Sequence, residues 1–86
     1  MENKDLQRHL FNCVKTVADS NGFDLHSFTV DEDLVDVSWR GFDTQGNLVE
    51  LTHAFDLQRM SLARTPKAAI EGDVFICEKT IKEAVK

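Results

Sequence analysis

The first twenty residues repeat apolar positions with the period of an α-helix. Leu6, Leu10, Val14 and Val17 recur three or four residues apart, which places them on one face of a helix. Three further residues widen this stripe: Phe11, Cys13 and Ala18. The sequence therefore predicts an N-terminal amphipathic helix.

Capping signals stand at both ends of this helix. Asn3 or Asp5 is predicted to cap its start, because short polar side chains accept hydrogen bonds from the first free backbone amides. Asn21-Gly22 follows the last periodic position and supplies a left-handed stop.

The middle of the chain changes to a period of two, which is typical of β-strands with one buried face. Residues 35–40 and 50–55 each alternate apolar with polar side chains. Between them, the loop 43–47 has Gly46 where a three-residue hairpin loop requires left-handed backbone. This loop predicts a hairpin in which paired residue numbers sum to 90.

The predicted register is supported by the side chains that it brings together. It places an opposite-charge pair on one face and an aromatic–aliphatic pair on the other, whereas a slip of one residue would put Trp39 against Glu50. We expect Trp39 to belong to the core. The predicted pairs are Arg40 with Glu50, Trp39 with Leu51, and Val37 with His53.

Residues 25–30 are predicted to form a third strand, connected to the hairpin through residues 31–34. The apolar face is then consistent across all three strands. The predicted pairs are Val30 with Val35, Phe28 with Val37, and His26 with Trp39. In this register both His26 and His53 point to the apolar face, next to the central strand.

Two helices are predicted after the strands. Asp56 is expected to cap a short helix from Leu57 to about Arg64, and Thr65-Pro66 is a strong start for a longer helix. The apolar stripe of the longer helix consists of Ile70, Val74, Cys77, Ile81 and Val85. A competing interpretation makes residues 74–77 a short strand.

Phe75 and Ile76 lie off this stripe, on the side of the helix that carries Ala68, Ala69 and Gly72. A small domain has few elements with which to cover both sides of one helix. Either residues 57–64 fold back over this side with Met60 and Leu62, or a second chain covers it.

These patterns predict an α+β fold. Its elements are an N-terminal helix, a three-stranded antiparallel meander, and one or two C-terminal helices packed on one face of the sheet. Length allows a single domain spanning residues 1–86. No apolar run is long enough for a membrane span or a secretory signal. Cys13 and Cys77 form no CxxC pattern, so we expect reduced thiols and a cytoplasmic location.

The net charge of −5 is concentrated in the middle of the chain. Residues 24–56 hold eight acidic residues against Arg40 alone, a net charge of −7. Such a segment repels phosphates. This segment is either a solvated surface, or a docking surface for a basic partner or a mimic of the charge of nucleic acid.

The helix–strands–helix order is also that of double-stranded-RNA-binding domains. Those domains grip phosphates with a Lys-rich start to the last helix, whereas residues 66–73 hold one Lys and two acids. The sequence therefore predicts no binding to nucleic acid.

Candidate chemistry is sparse. His9 and Cys13 are four residues apart and can meet on the first helix, but a structural zinc site needs two such pairs. The acidic run 31–33 lacks the ligand spacing of a calcium loop, and no nucleophile, phosphate or dinucleotide motif occurs. We expect a non-enzymatic protein without a cofactor or a metal.

The leading hypothesis is a protein-interaction module that occludes a basic surface of a larger partner. Inhibitors from phages and mobile elements are commonly small and acidic in this way. The alternative is a homo-oligomeric structural protein joined through the last helix. The candidate partner-binding residues are Asp31, Glu32, Asp33, Asp36, Glu50, Phe75 and Ile76.

Overall fold

The computed structural model describes residues 4–86. Its elements, in chain order, are α1 (Lys4–Ser20), β1 (Asp24–Asp31), β2 (Leu34–Phe42), β3 (Leu48–Asp56), α2 (Leu57–Ser61) and α3 (Pro66–Ala84). The three strands form one antiparallel sheet in the order β1-β2-β3. This arrangement confirms the predicted α+β fold.

The helices pack on one face of the sheet and enclose an apolar core. Alternate residues of β2 are fully buried on this face, and the residues between them are exposed or half-buried. No polar or charged residue among those described is buried. The largest fully buried side chains are Trp39, Phe55, Leu10, Leu57, Ile70, Ile81, Val14, Val35 and Val37. The prediction that Trp39 belongs to the core is confirmed.

The β2–β3 hairpin has the predicted register. Arg40 pairs with Glu50, and Trp39 pairs with Leu51. Gly46 has a φ of 83°, which is the left-handed backbone that the loop requires. His53 pairs with Val37 and points to the helix-covered face, where it is half-buried.

The β1–β2 pairing departs from the prediction near its start. Phe28 pairs with Val37 as predicted, but the register shifts between Leu25 and Ser27. Leu25 therefore lies opposite Trp39, and His26 is exposed. The prediction that His26 faces the apolar side is wrong. A β-bulge inserts one extra residue into a strand, and a period-two pattern does not reveal where this happens.

The end of α1 follows the predicted stop signal. Gly22 has a φ of 69°, and the amide of Phe23 donates to the carbonyl of Ala18 at 2.9 Å. The Phe23 side chain is buried over Gly41, where an added Cβ would overlap the phenyl ring. At the other end, Asp5 lies inside the helix and does not precede it. The alternative cap, Asn3, falls outside the described residues.

The C-terminal helices match the prediction in type but not in every boundary. Asp56 caps α2 by accepting from the amide of Arg59 at 3.2 Å. That helix ends at Ser61 and not near Arg64. Residues 74–77 lie within α3, so the competing strand interpretation is wrong. The helix places Val74 and Cys77 together on the buried stripe, whereas a strand would point these two side chains to opposite faces.

Candidate interaction surfaces

One face of the sheet is covered by the helices, and the other is covered by no element of the described chain. We call this uncovered side the open sheet face. Its residues are exposed or half-buried, and the strand pairing places them on one side. They are Asp24, Ser27, Thr29 and Asp31 on β1, Leu34, Asp36, Ser38, Arg40 and Phe42 on β2, and Leu48, Glu50, Thr52, Ala54 and Asp56 on β3.

Acidic residues gather at the end of the open sheet face next to the β1–β2 turn. Leu34 lies between Asp31 and Asp56 on the neighbouring strands, and Asp36 lies two residues further along β2 on the same face. The turn adds two more acids. We call this group the acidic end, and it consists of Asp31, Glu32, Asp33, Asp36 and Asp56. The structure thus brings together four of the predicted partner-binding acids.

Backbone contacts hold the acidic end in place. Glu32 adopts left-handed backbone with a φ of 55°, which lets β1 reverse into β2 within two residues. The carbonyl of Asp33 accepts from the amide of Leu57 at 2.8 Å. The turn is therefore tied to the start of α2, where Asp56 serves as the cap. Sequence patterns assigned Asp56 only this capping role and did not indicate that it joins the acidic end.

Glu50 lies apart from the acidic end. It is four residues further along the sheet than Asp36, a distance of about 13 Å at about 3.3 Å per residue. Glu50 Oε2 accepts from Nε of Arg40 at 2.6 Å. This hydrogen bond and the positive charge of Arg40 hold the pKa of Glu50 below its usual range. The structure therefore does not group Glu50 with the other predicted acids.

The opposite end of the open sheet face is apolar. Phe42 and Leu48 pair with each other, and their exposed fractions are 66% and 61%. Next to them is the Arg40–Glu50 pair. The open sheet face therefore changes from acidic at the β1–β2 turn to apolar at the β2–β3 loop. The strand alternation would have revealed the apolar end, had it been extended through residues 42 and 48.

Phe75 and Ile76 both project from the exposed side of α3, and each is 60% exposed. Phe75 borders a groove between α1 and α3, whereas Ile76 borders a shallow depression beside α2. Met60 is buried in the core, but Leu62 is exposed. Of the two alternatives for this side of α3, coverage by residues 57–64 does not extend to Leu62, which lies just beyond the end of α2.

The groove between α1 and α3 contains the nearest approach to a chemical constellation. Nε2 of His9 lies 2.8 Å from Glu71 Oε2 and 3.7 Å from Cys13 Sγ. The acid and the thiol thus meet the same ring nitrogen. Burial and the negative charge of Glu71 raise the pKa of the Cys13 thiol. In a nucleophile–histidine–acid triad, the acid holds the ring nitrogen that does not face the nucleophile, whereas Glu71 and Cys13 both approach Nε2 of His9.

A second histidine–carboxylate contact lies on the helix-covered side of the sheet. His53 Nε2 is 3.4 Å from Asp73 Oδ2, and the ring centroids of His53 and Phe55 are 4.6 Å apart.

Asp73 also affects the second cysteine. Burial, and then the negative charge of Asp73, raise the pKa of the Cys77 thiol to about 11. Among residues 4–86, no three His, Cys, Asp or Glu side chains are grouped so as to hold a metal ion.

None of the helices within residues 4–86 is both long enough and apolar enough to cross a membrane.

Comparison with models of protein families, with curated proteins and with solved structures found no match for this chain. Its function is therefore inferred from its own residues.

Proposed function

We propose that this chain is a non-enzymatic protein-interaction module. Its open sheet face binds a basic surface of a larger protein and blocks that surface against other ligands. The observation that supports the proposal is the acidic end, a group of carboxylates on a sheet face that the helices leave uncovered.

The charges of the sheet favour a basic partner. Arg40 is the one Lys or Arg on the three strands, and it is already paired with Glu50. On the three strands, Asp31 and Asp36 therefore share the open sheet face with no other Lys or Arg. Complementary charges accelerate encounter and exclude partners of the same sign. A partner with Lys and Arg side chains would complement the negative charge of Asp31 and Asp36.

The apolar end of the open sheet face supplies binding affinity that charge alone does not. Exposed ion pairs contribute only about 0–1 kcal/mol each, so an acidic surface by itself binds weakly and loses affinity in salt. Phe42 and Leu48 offer apolar area that a partner can bury. Buried aromatic and aliphatic anchors supply most of the affinity of typical interfaces.

The same surface disfavours other partners. A protein that binds nucleic acid needs Lys and Arg to displace counterions from the phosphates. The open sheet face is negative, like the phosphates, and would repel them.

The proposal includes a cytoplasmic setting, in which thiols such as those of Cys13 and Cys77 persist in the reduced form.

The proposal is tested by affinity capture from the lysate of the native host, with matched variants. Asp31→Asn with Asp36→Asn removes two charges from the acidic end, whereas Asp5→Asn with Glu83→Gln removes two exposed charges from the helices. We expect the first variant to lose a captured basic protein and the second to retain it. Capture should also weaken at about 0.5 M salt, where the screening length is only about 4 Å. Equal capture by both variants would contradict the proposal.

A homo-oligomer joined through α3 is the second candidate. The observation that favours it is the exposure of Phe75, Ile76 and Leu62, the last at 82%. Exposed apolar side chains lose water-accessible area when a second copy covers them, which favours association. Sedimentation velocity over a range of protein concentrations separates the two candidates. A monomer at every concentration rejects the homo-oligomer, and a stable dimer supports it.

A further inference from the structure

We propose that the groove between α1 and α3 binds a basic amphipathic helix of a partner protein. This site lies on the helical side of the molecule, opposite the open sheet face, and does not depend on the function proposed above. The groove is open to solvent, has a volume of about 320 Å³ and is lined by His9, Asn12, Cys13, Thr16, Glu71, Val74, Phe75 and Glu78. We call it the α1–α3 groove.

The floor of the α1–α3 groove is apolar. Val74 is buried, Cys13 is half-buried and Phe75 is largely exposed along one edge. Burial keeps the Cys13 thiol protonated, so it serves as an apolar surface. Such a floor accepts one large apolar side chain, and covering the exposed ring of Phe75 would remove apolar area from water.

Two carboxylates stand at the ends of this floor, and each is held by a hydrogen bond. Glu71 Oε2 lies 2.8 Å from His9 Nε2, and Glu78 Oε2 accepts from Nδ2 of Asn21 at 2.9 Å. Among residues 4–86, neither Lys nor Arg lines the groove. The site is therefore apolar in the middle and negative at both ends, which selects a ligand that is apolar in the middle and positive at both ends.

The spacing of the carboxylates favours a helix as the ligand. Glu71 and Glu78 are seven residues apart on α3, or about 10 Å along the helix axis at about 1.5 Å per residue. A helix lying along the groove presents Lys or Arg at the same seven-residue spacing on one face, with an apolar residue between them. An extended segment would span this distance in about three residues, and its two basic side chains would point to opposite sides.

The experiment uses a synthetic amphipathic helix as the probe and Cys13 as the reporter. The probe carries Leu between two Lys residues that are seven positions apart, and a matched peptide carries Glu at both Lys positions. Alkylation of Cys13 by iodoacetamide is followed by mass spectrometry, with the buried thiol of Cys77 as the internal reference. Rates with and without peptide are compared within each variant, because Glu71 also affects the Cys13 thiol.

We expect saturating Lys peptide to slow Cys13 alkylation by about tenfold, and the Glu peptide to have no effect. Glu71→Gln with Glu78→Gln should abolish the protection, whereas Glu83→Gln, on the same helix but outside the groove, should preserve it. Protection by both peptides, or its persistence in the double variant, would overturn the proposal. Protection that grows with protein concentration and needs no peptide would assign the groove to a second copy of this chain, and would overturn it as well.

Discussion

The indole Nε1 of Trp39 donates a hydrogen bond of 3.0 Å to the carbonyl oxygen of Val14. Trp39 is fully buried on the helix-covered face of β2, and Val14 is fully buried on α1. This bond joins the centre of the sheet to the centre of the first helix. It also satisfies the one polar atom of a side chain that is otherwise buried among apolar residues.

Replacing Trp39 with Phe should destabilise the protein by about 2 kcal/mol. The substitution removes a hydrogen bond that contributes about 1 kcal/mol, and it leaves unfilled volume in the core. Trp39 is the one Trp of the chain, so urea unfolding should be followed by circular dichroism and not by fluorescence. A loss below about 0.5 kcal/mol would show that the bond to Val14 does not hold α1 on the sheet.

Replacing Gly46 with Val should cost about 1–2 kcal/mol, because a β-branched residue resists left-handed backbone. An added Cβ at Gly46 meets no atom within 4 Å, so the cost is conformational and not steric. Gly46→Asn is the matched control, since Asn tolerates this backbone. The two variants should differ clearly in their urea midpoints. Equal destabilisation would point to a different cause.

Asp43 provides a prediction about pH. Its Oδ1 accepts from the amides of Asn47 at 2.8 Å and Gln45 at 2.9 Å. The hydrogen bonds from Asn47 and Gln45 lower the pKa of this carboxyl in the folded protein. The stabilisation is therefore present above the unfolded pKa of about 4, and it is lost as the pH falls through the folded value.

The control for this prediction is Asp43→Asn, which keeps an acceptor oxygen but does not titrate. The urea midpoint of the wild type should fall more steeply than that of Asp43→Asn as the pH falls from about 5 to about 2.5. Parallel curves for the two proteins would show that the Asp43 carboxylate does not stabilise the loop.

The double variant Phe75→Asp with Ile76→Asp should remain folded. Both side chains are 60% exposed, so the new carboxylates stay in water and the change in stability should be within about 1 kcal/mol. Thermal melting checks this expectation. Unfolding would show that these side chains pack in the folded core. If the wild type sediments as a dimer, the loss of that dimer in the variant would locate the interface on α3.

Much of the fold could be predicted from the sequence because each element carries a local signal. The loop with Gly46 and the pairing of Arg40 with Glu50 agree on one register, and the structure has it. Thr65-Pro66 likewise locates the start of α3. In these regions, backbone preference and side-chain alternation point to the same answer.

The remaining features depend on tertiary contacts that no local pattern encodes. The bulge after Leu25 turns His26 outward, although the alternation of side chains in the sequence shows no interruption there. The approach of Glu71 to His9 joins residues 62 positions apart. The α1–α3 groove exists only because α1 and α3 lie side by side. The sequence alone therefore does not indicate that Glu71 and Glu78 line a groove.

The most direct test of the acidic end is the affinity for the captured basic partner, measured by isothermal titration calorimetry. Asp31→Asn with Asp36→Asn should raise the dissociation constant about tenfold, or about 1.4 kcal/mol, which is about 0.7 kcal/mol for each lost exposed contact. Asp5→Asn with Glu83→Gln should change it less than about twofold, since those charges lie on the helices. An equal change in both variants, or a larger change in the helix variant, would contradict the assignment of the open sheet face as the binding surface.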